Sequence, residues 1–181
     1  MKHSVLVITL ILSFVLSACN NGGTQKDLVV DKEYENNGKK VEFKDFGPAP
    51  FVFDVEDYTL QNETFRTAIW TGEHMQMTVM SIPAGGEIGL EMHPDIDQFL
   101  RIESGSGIVY LGDAEDNFTI KERVGDDFGI FIPAGKWHNL VNDSDEPIKL
   151  YSIYAPVEHP HGTVHRTAEE AIEAHQEAHG N

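Results

Sequence analysis

The chain has 181 residues, 40% of them hydrophobic, which is enough for one domain with its own core and too few for two large ones. Its 30 acidic and 13 basic residues give a formal net charge of -17, which would repel a phosphate backbone and excludes nucleic acid as a partner class. Cys19 is the only cysteine, so there is no internal disulfide and no cysteine-rich zinc site, and any metal must be held by His, carboxylate or amide groups.

At the amino terminus Lys2 is followed by a largely apolar run from Val5 to Leu16. A membrane-spanning helix needs roughly 20 such residues, so the run reads as a secretory signal rather than a span. Leu16-Ser17-Ala18-Cys19 resembles the lipobox of bacterial lipoproteins, which implies a signal peptide over residues 1–18 and lipidation of Cys19. Two or more acyl chains hold a protein on a bilayer stably where one does not. The resemblance therefore implies a protein of the cell envelope, lipid-anchored outside the cytoplasm, with the membrane as a partner. Residues 19–45 carry Asn, Gly, Lys, Asp and Glu with few large apolar groups, too little burial to offset ordering entropy, and are expected as a flexible tether.

From Phe51 onward short alternating runs are separated by turn residues. The expected strands are Phe51–Phe53, Phe65–Trp70, Met75–Ile82, Ile88–His93, Phe99–Ile102, Gly107–Leu111, Phe118–Lys121, Phe128–Ile132, Trp137–Val141 and Lys149–Tyr154. Turns fall at Pro83-Ala84-Gly85-Gly86, Ser104-Gly105-Ser106-Gly107, Pro133-Ala134-Gly135 and Asn142-Asp143-Ser144-Asp145. The acidic stretches Asp54–Asp57, Asp113–Asp116 and Asp143–Glu146 read as solvated loops. This spacing suits an antiparallel sandwich or barrel. Near the end, Thr167-Ala168-Glu169-Glu170 has capping-box spacing, which predicts a terminal helix of about three turns.

Two stretches carry chemistry. In the first, Gly85 to Gly105, Glu91 and His93 are two apart and share a strand face, with Leu90 and Met92 on the other. In the second, Pro133 to Asn142, a tight turn leads into a strand on which His138, Leu140 and Asn142 share a face. Possible ligands on one side and apolar residues on the other are what a barrel wall presents when its interior holds a metal or polar ligand.

These stretches resemble the two motifs of the cupin superfamily. The first runs Gly, five residues, His-x-His, three or four residues, Glu, six residues, Gly. Gly85, Glu91, His93, Gln98 and Gly105 fit it, with Glu91 where the first His is usual and Gln98 where Glu is usual. Asp97 matches the shorter gap, but Gln98 fits the six residues before Gly105 and Asp97 does not. The second motif is matched at Pro133, Gly135, His138 and Asn142. Its usual glycine six positions before the proline is missing, and Gly125 is the nearest stand-in.

The resemblance implies an all-β fold, the double-stranded β-helix or jelly-roll-like barrel, with a short C-terminal α-helix. Residues 46–160 would form the barrel and 161–181 a C-terminal loop and helix. It also implies a divalent metal, Mn, Fe, Ni or Zn, held by Glu91, His93, Gln98 and His138. Without Gln98 these make the two-His, one-carboxylate triad associated with non-haem iron. A homodimer is implied as well.

Two function classes follow. The first is a metal-dependent enzyme, isomerase-like or dioxygenase-like, acting on a small polar molecule, with Asp95, Asp97 and Tyr154 as candidates for proton transfer. The second is a non-catalytic module binding a sugar-like small molecule at the cell surface. The run His159-Pro160-His161-Gly162-Thr163-Val164-His165 reads as an ordered polar loop, and His175 and His179 as an exposed helix end.

Overall fold

A computed structural model describes residues 39–179; the expected signal peptide, Cys19 and the first part of the tether lie outside them. The elements in chain order are α1 (Val55–Gln61), β1 (Arg66–Thr71), β2 (Gln76–Ile82), β3 (Asp97–Ser104), β4 (Ser106–Ala114), β5 (Asn117–Gly125), β6 (Gly129–Ile132), β7 (Trp137–Val141), β8 (Ile148–Ala155), β9 (Val164–His165) and α2 (Ala168–His179). One sheet has six strands in the order β6-β3-β8-β2-β1-β9, and the other has three in the order β5-β4-β7. All the pairings are antiparallel, with the strand order scrambled relative to the chain as in a jelly roll.

Period-two alternation decides what lies between the sheets. On β8, Ile148, Leu150, Ser152 and Tyr154 are buried, and on β3 Gln98, Leu100 and Ile102 are. Register then sorts them by polarity. Across β2 and β8, Ile82 lies beside Ile148 and Met80 beside Leu150, while Thr78 lies beside Ser152 and Gln76 beside Tyr154. On the other side of β8, Tyr154 pairs with Gln98 and Leu150 with Ile102. One end of the interior is therefore aliphatic, completed by Leu140, Val109 and Val124, and the other is polar. Each buried Leu or Ile contributes about 1.5–3 kcal/mol, so the aliphatic end carries the stability.

The outer face of the large sheet is covered too. Phe46, Phe51 and Phe53 stack in series, with ring centroids 4.0 Å and 4.8 Å apart, and pack with Tyr58 against Ile69, Met77 and Val79. Phe51–Phe53 thus alternates without being a strand: Val52 is 98% exposed, and the two rings flanking it are packed inward. The end of the expected tether belongs to this layer. Asp45 accepts hydrogen bonds from the Thr71 backbone and hydroxyl and from Gly162 N–H, and Val41 packs with the aromatic cluster.

Asp54–Asp57 is not a loop. Asp54 caps α1 by accepting from Asp57 N–H at 3.2 Å, an N-cap in an acidic run otherwise typical of solvated loops. The expected cap of α2 forms, with Thr167 Oγ1 accepting from Glu170 N–H and the Glu170 carboxylate accepting from Arg166 N–H. The stand-in role expected of Gly125 falls instead to Asp127, six positions before Pro133. Asp127 holds a left-handed φ of 68° in place of glycine, which a short polar side chain tolerates.

Candidate metal centre

The expected strand Ile88–His93 is reduced to one isolated bridge to β7, Glu91 to His138, with a second just before it, Glu87 to Val141, and Gly89 at φ 101° between the two. The bridge at Glu91 matters most. Glu91 N–H donates to the His138 carbonyl at 3.1 Å and His138 N–H to the Glu91 carbonyl at 2.9 Å, so the two motifs face each other across a closed backbone pair. His93 is tied to the same wall, since its carbonyl accepts from Gly135 N–H at 2.7 Å in the turn before β7.

This backbone frame brings three side chains together. One ligating atom each from Glu91, His93 and His138 lies within 4.8 Å of the others. Glu91 Oε1 is 3.2 Å from His138 Nε2 and 3.5 Å from His93 Nε2. The opposite ring nitrogens are occupied: His138 Nδ1 lies 3.1 Å from the Lys136 carbonyl, and His93 Nδ1 lies 3.6 Å from Glu158 Oε1. The Lys136 carbonyl, an acceptor at His138 Nδ1, places that ring's proton there and leaves its Nε2 lone pair for an ion. His93 Nε2 is buried with no hydrogen-bond partner among the described residues. Two imidazole nitrogens and one carboxylate oxygen, with an outer carboxylate and a carbonyl fixing the rings, fit a divalent transition metal.

The charges around this point agree. Burial alone would push the Glu91 carboxyl up, but the His138 and His93 imidazoles beside it and the nearby Arg66 charge outweigh it and hold the group well below the usual carboxylate range. Burial would lower the His93 imidazole, yet Glu91 and Glu158 raise it. Positive charge is favoured at the point where the three donors meet.

Other expected residues are placed as follows. Gln98 is buried, its Nε2 donating to Ser152 Oγ at 3.1 Å while its Oε1 has no partner among the described residues. Asp97 is one position away and faces solvent, where its carboxylate accepts from Ala134 N–H. Asp95 is also exposed, in the turn after Pro94. Asp97 on the outer face of β3 and Asp95 in the exposed turn before it are both outside the cavity lining, which corrects their assignment to proton transfer. Tyr154 does lie inside, fully buried, 6.0 Å from the His93 ring between centroids, with its hydroxyl unpartnered among the described residues.

A cavity of about 500 Å³ opens onto Glu91 and His93. Arg66, Glu158, His159 and His165 line its walls, and α2 borders it through Ile172 and His175. The expected polar loop from His159 contributes to the cavity wall, and His175 is exposed, as expected, while also bordering the cavity. The His179 side chain lies outside the described residues. Gln76 pins this loop: its Nε2 donates to the His159 carbonyl and its Oε1 accepts His159 N–H, both at 2.9 Å. Glu158 and Arg66 are absent from both sequence motifs. An Arg among the alternating apolar residues of β1 was the one signal available for Arg66.

Fold and site together define a double-stranded β-helix protein with a candidate metal centre at one end of its barrel. The chain belongs to the cupin family: the cupin domain pattern matches residues 78–154. It is 55% identical over 131 residues to the uncharacterized protein YrkC of Bacillus subtilis, an alignment covering 72% of this chain and 70% of that one. It is also 55% identical to BH2720 of Bacillus halodurans, whose crystal structure superposes with a TM-score of 0.71 over 72% of this chain and 98% of that one. An uncharacterized conserved Klebsiella pneumoniae protein with a double-stranded β-helix domain shares the fold, at 19% identity and a TM-score of 0.50, over 66% of this chain and all of that one.

Proposed function

We propose that the protein binds a divalent metal through Glu91, His93 and His138 and acts as a metal-dependent enzyme on a small polar molecule. The observation that supports this reading is the convergence of the three donors, two of which, Glu91 and His93, line a cavity of about 500 Å³. Even with Gln98 as a fourth protein donor, a six-coordinate ion would keep positions open, as a catalytic site requires. When bound, the ion supplies Lewis-acid polarisation of a substrate oxygen or, as iron, reaction with dioxygen. The chain's own residues do the rest. Glu158 orients the His93 ring, the Lys136 carbonyl orients His138, and Tyr154, whose hydroxyl burial keeps protonated, holds a proton inside the barrel. Gln98 is a fourth donor in this proposal, through its unpartnered Oε1.

Elemental analysis after reconstitution with Mn, Fe, Ni or Zn tests the reading. One equivalent of a single metal, lost from a Glu91→Ala variant, is expected; less than about a tenth of an equivalent of every metal would remove it. One observation favours the second reading, a non-catalytic binding module: neither Asp95 nor Asp97 reaches the cavity. Ligand-induced thermal shifts that survive chelation would support the module, and shifts that need the metal would support the enzyme.

The same proposal places the protein in the cell envelope, lipid-anchored at Cys19 outside the cytoplasm, and in solution as a homodimer. Cys19→Ala is expected to move the protein from the membrane to the soluble fraction, and a variant that stays membrane-bound would contradict the anchor.

A further inference from the structure

The wall of the cavity beside the triad holds a buried charge that its negative neighbours at the cavity, Glu91 and Glu158, do not reach as ion pairs. Arg66 is 5% exposed and lines the cavity, yet among the described residues its guanidinium forms no ion pair and its buried Nε no hydrogen bond. Its one packing partner of note is the Phe65 ring, 5.5 Å away. Removing a guanidinium from water without a partner is costly, and folded chains rarely do it. Its surroundings repeat the pattern. His165, paired across β1 and β9 with Arg66, has a buried Nδ1 without a partner, and His159 has a buried Nε2 in the same state. Three orphaned polar groups around one cavity indicate a polar ligand that satisfies them.

We infer that Arg66 anchors the carboxylate of a small monoanionic ligand in this cavity, with His159 and His165 as its neutral hydrogen-bonding neighbours. The inference rests on the proposed metal site for its account of charge. Glu91 and Glu158 are two negative charges and Arg66 one positive; a divalent ion turns this net single negative into a net single positive, which one carboxylate balances. A phosphate dianion would overshoot, and a neutral sugar would leave the guanidinium unpaired. The planar fork of Arg matches a carboxylate through two parallel hydrogen bonds, which Lys cannot reproduce.

Calorimetry on the purified full chain, zinc-loaded and chelator-treated, with lactate, its neutral isostere lactamide and inorganic phosphate tests this. Lactate is expected to bind, with lactamide and phosphate at least about tenfold weaker. Arg66→Gln is expected to keep its zinc stoichiometry and to weaken lactate by about 10–100-fold, with Arg66→Lys falling between. Should Arg66→Gln fail to fold, the Arg66 Nε–H resonance of the wild type decides, since lactate is expected to shift it. Equal binding of lactamide or phosphate, full lactate affinity in a folded Arg66→Gln, or an unmoved Arg66 resonance would overturn the inference. Failure of the metal reading alone shows separately, as missing zinc in a protein whose Arg66 resonance still responds to lactate.

Discussion

The two ends of the barrel interior are built by the same strands and differ in one respect. At the aliphatic end, Met80, Ile82, Leu100, Ile102, Leu140, Ile148 and Leu150 pack to completion. At the other, Gln98, His93 and Tyr154, together with Arg66, His159 and His165 at the cavity wall, leave buried polar atoms without partners among the described residues. Finished packing marks the part of a fold that holds it together, and unfinished hydrogen bonding marks the part kept for something else. A one-residue register slip of any of these strands would exchange inside for outside along its whole length, so the aliphatic end also fixes the geometry of the polar one.

If that division is right, substitutions at the two ends should separate binding from stability. The largest effect is expected from His138→Ala, which removes one imidazole of the Glu91, His93 and His138 triad: metal stoichiometry should fall to near zero by elemental analysis. Leu140→Ala at the aliphatic end should cost about 2–5 kcal/mol in denaturant unfolding while leaving metal stoichiometry at one; a loss of metal there would break the comparison. Glu158→Gln, which removes the carboxylate facing His93 Nδ1, should weaken metal affinity by about 10–100-fold by competition with a chelator, with little change in unfolding.

The smallest effect concerns pH. Burial, aided by the Arg66 charge, holds the His159 imidazole down to about 3, against 6.5 when free. The unfolded chain therefore takes up this proton before the folded one does, and the group's contribution falls as pH drops from about 6.5 towards 3 and is constant above. His159→Gln should flatten the acid limb of Tm against pH between about 6.5 and 4.5, and an unchanged limb would contradict it.

Much of this was legible in the chain. Alternation gave most of the strands, and motif spacing led to Glu91, His93 and His138. What was missed has physical causes. Asp54 looks like any loop aspartate until the following residues turn helical and its side chain finds Asp57 N–H. Gly125 was chosen by residue type, whereas the backbone needed a left-handed conformation at position 127 and Asp127 supplied it. Asp97 and Gln98 differ by one position, and only the pairing of β3 with β8 says which turns inward. Glu158 and Arg66 lie far from the motifs in sequence and meet the site only because a loop held by Gln76 and a strand next to the sheet edge are folded against it.

The backbone pair between Glu91 and His138 has a practical consequence. Two of the triad's three side chains hang from amides that are each other's hydrogen-bond partners, so the donors cannot drift apart without opening that ladder rung. Deuterium uptake at these two amides is thus a built-in gauge of how firmly the donors are held, readable without knowing the substrate or the ion.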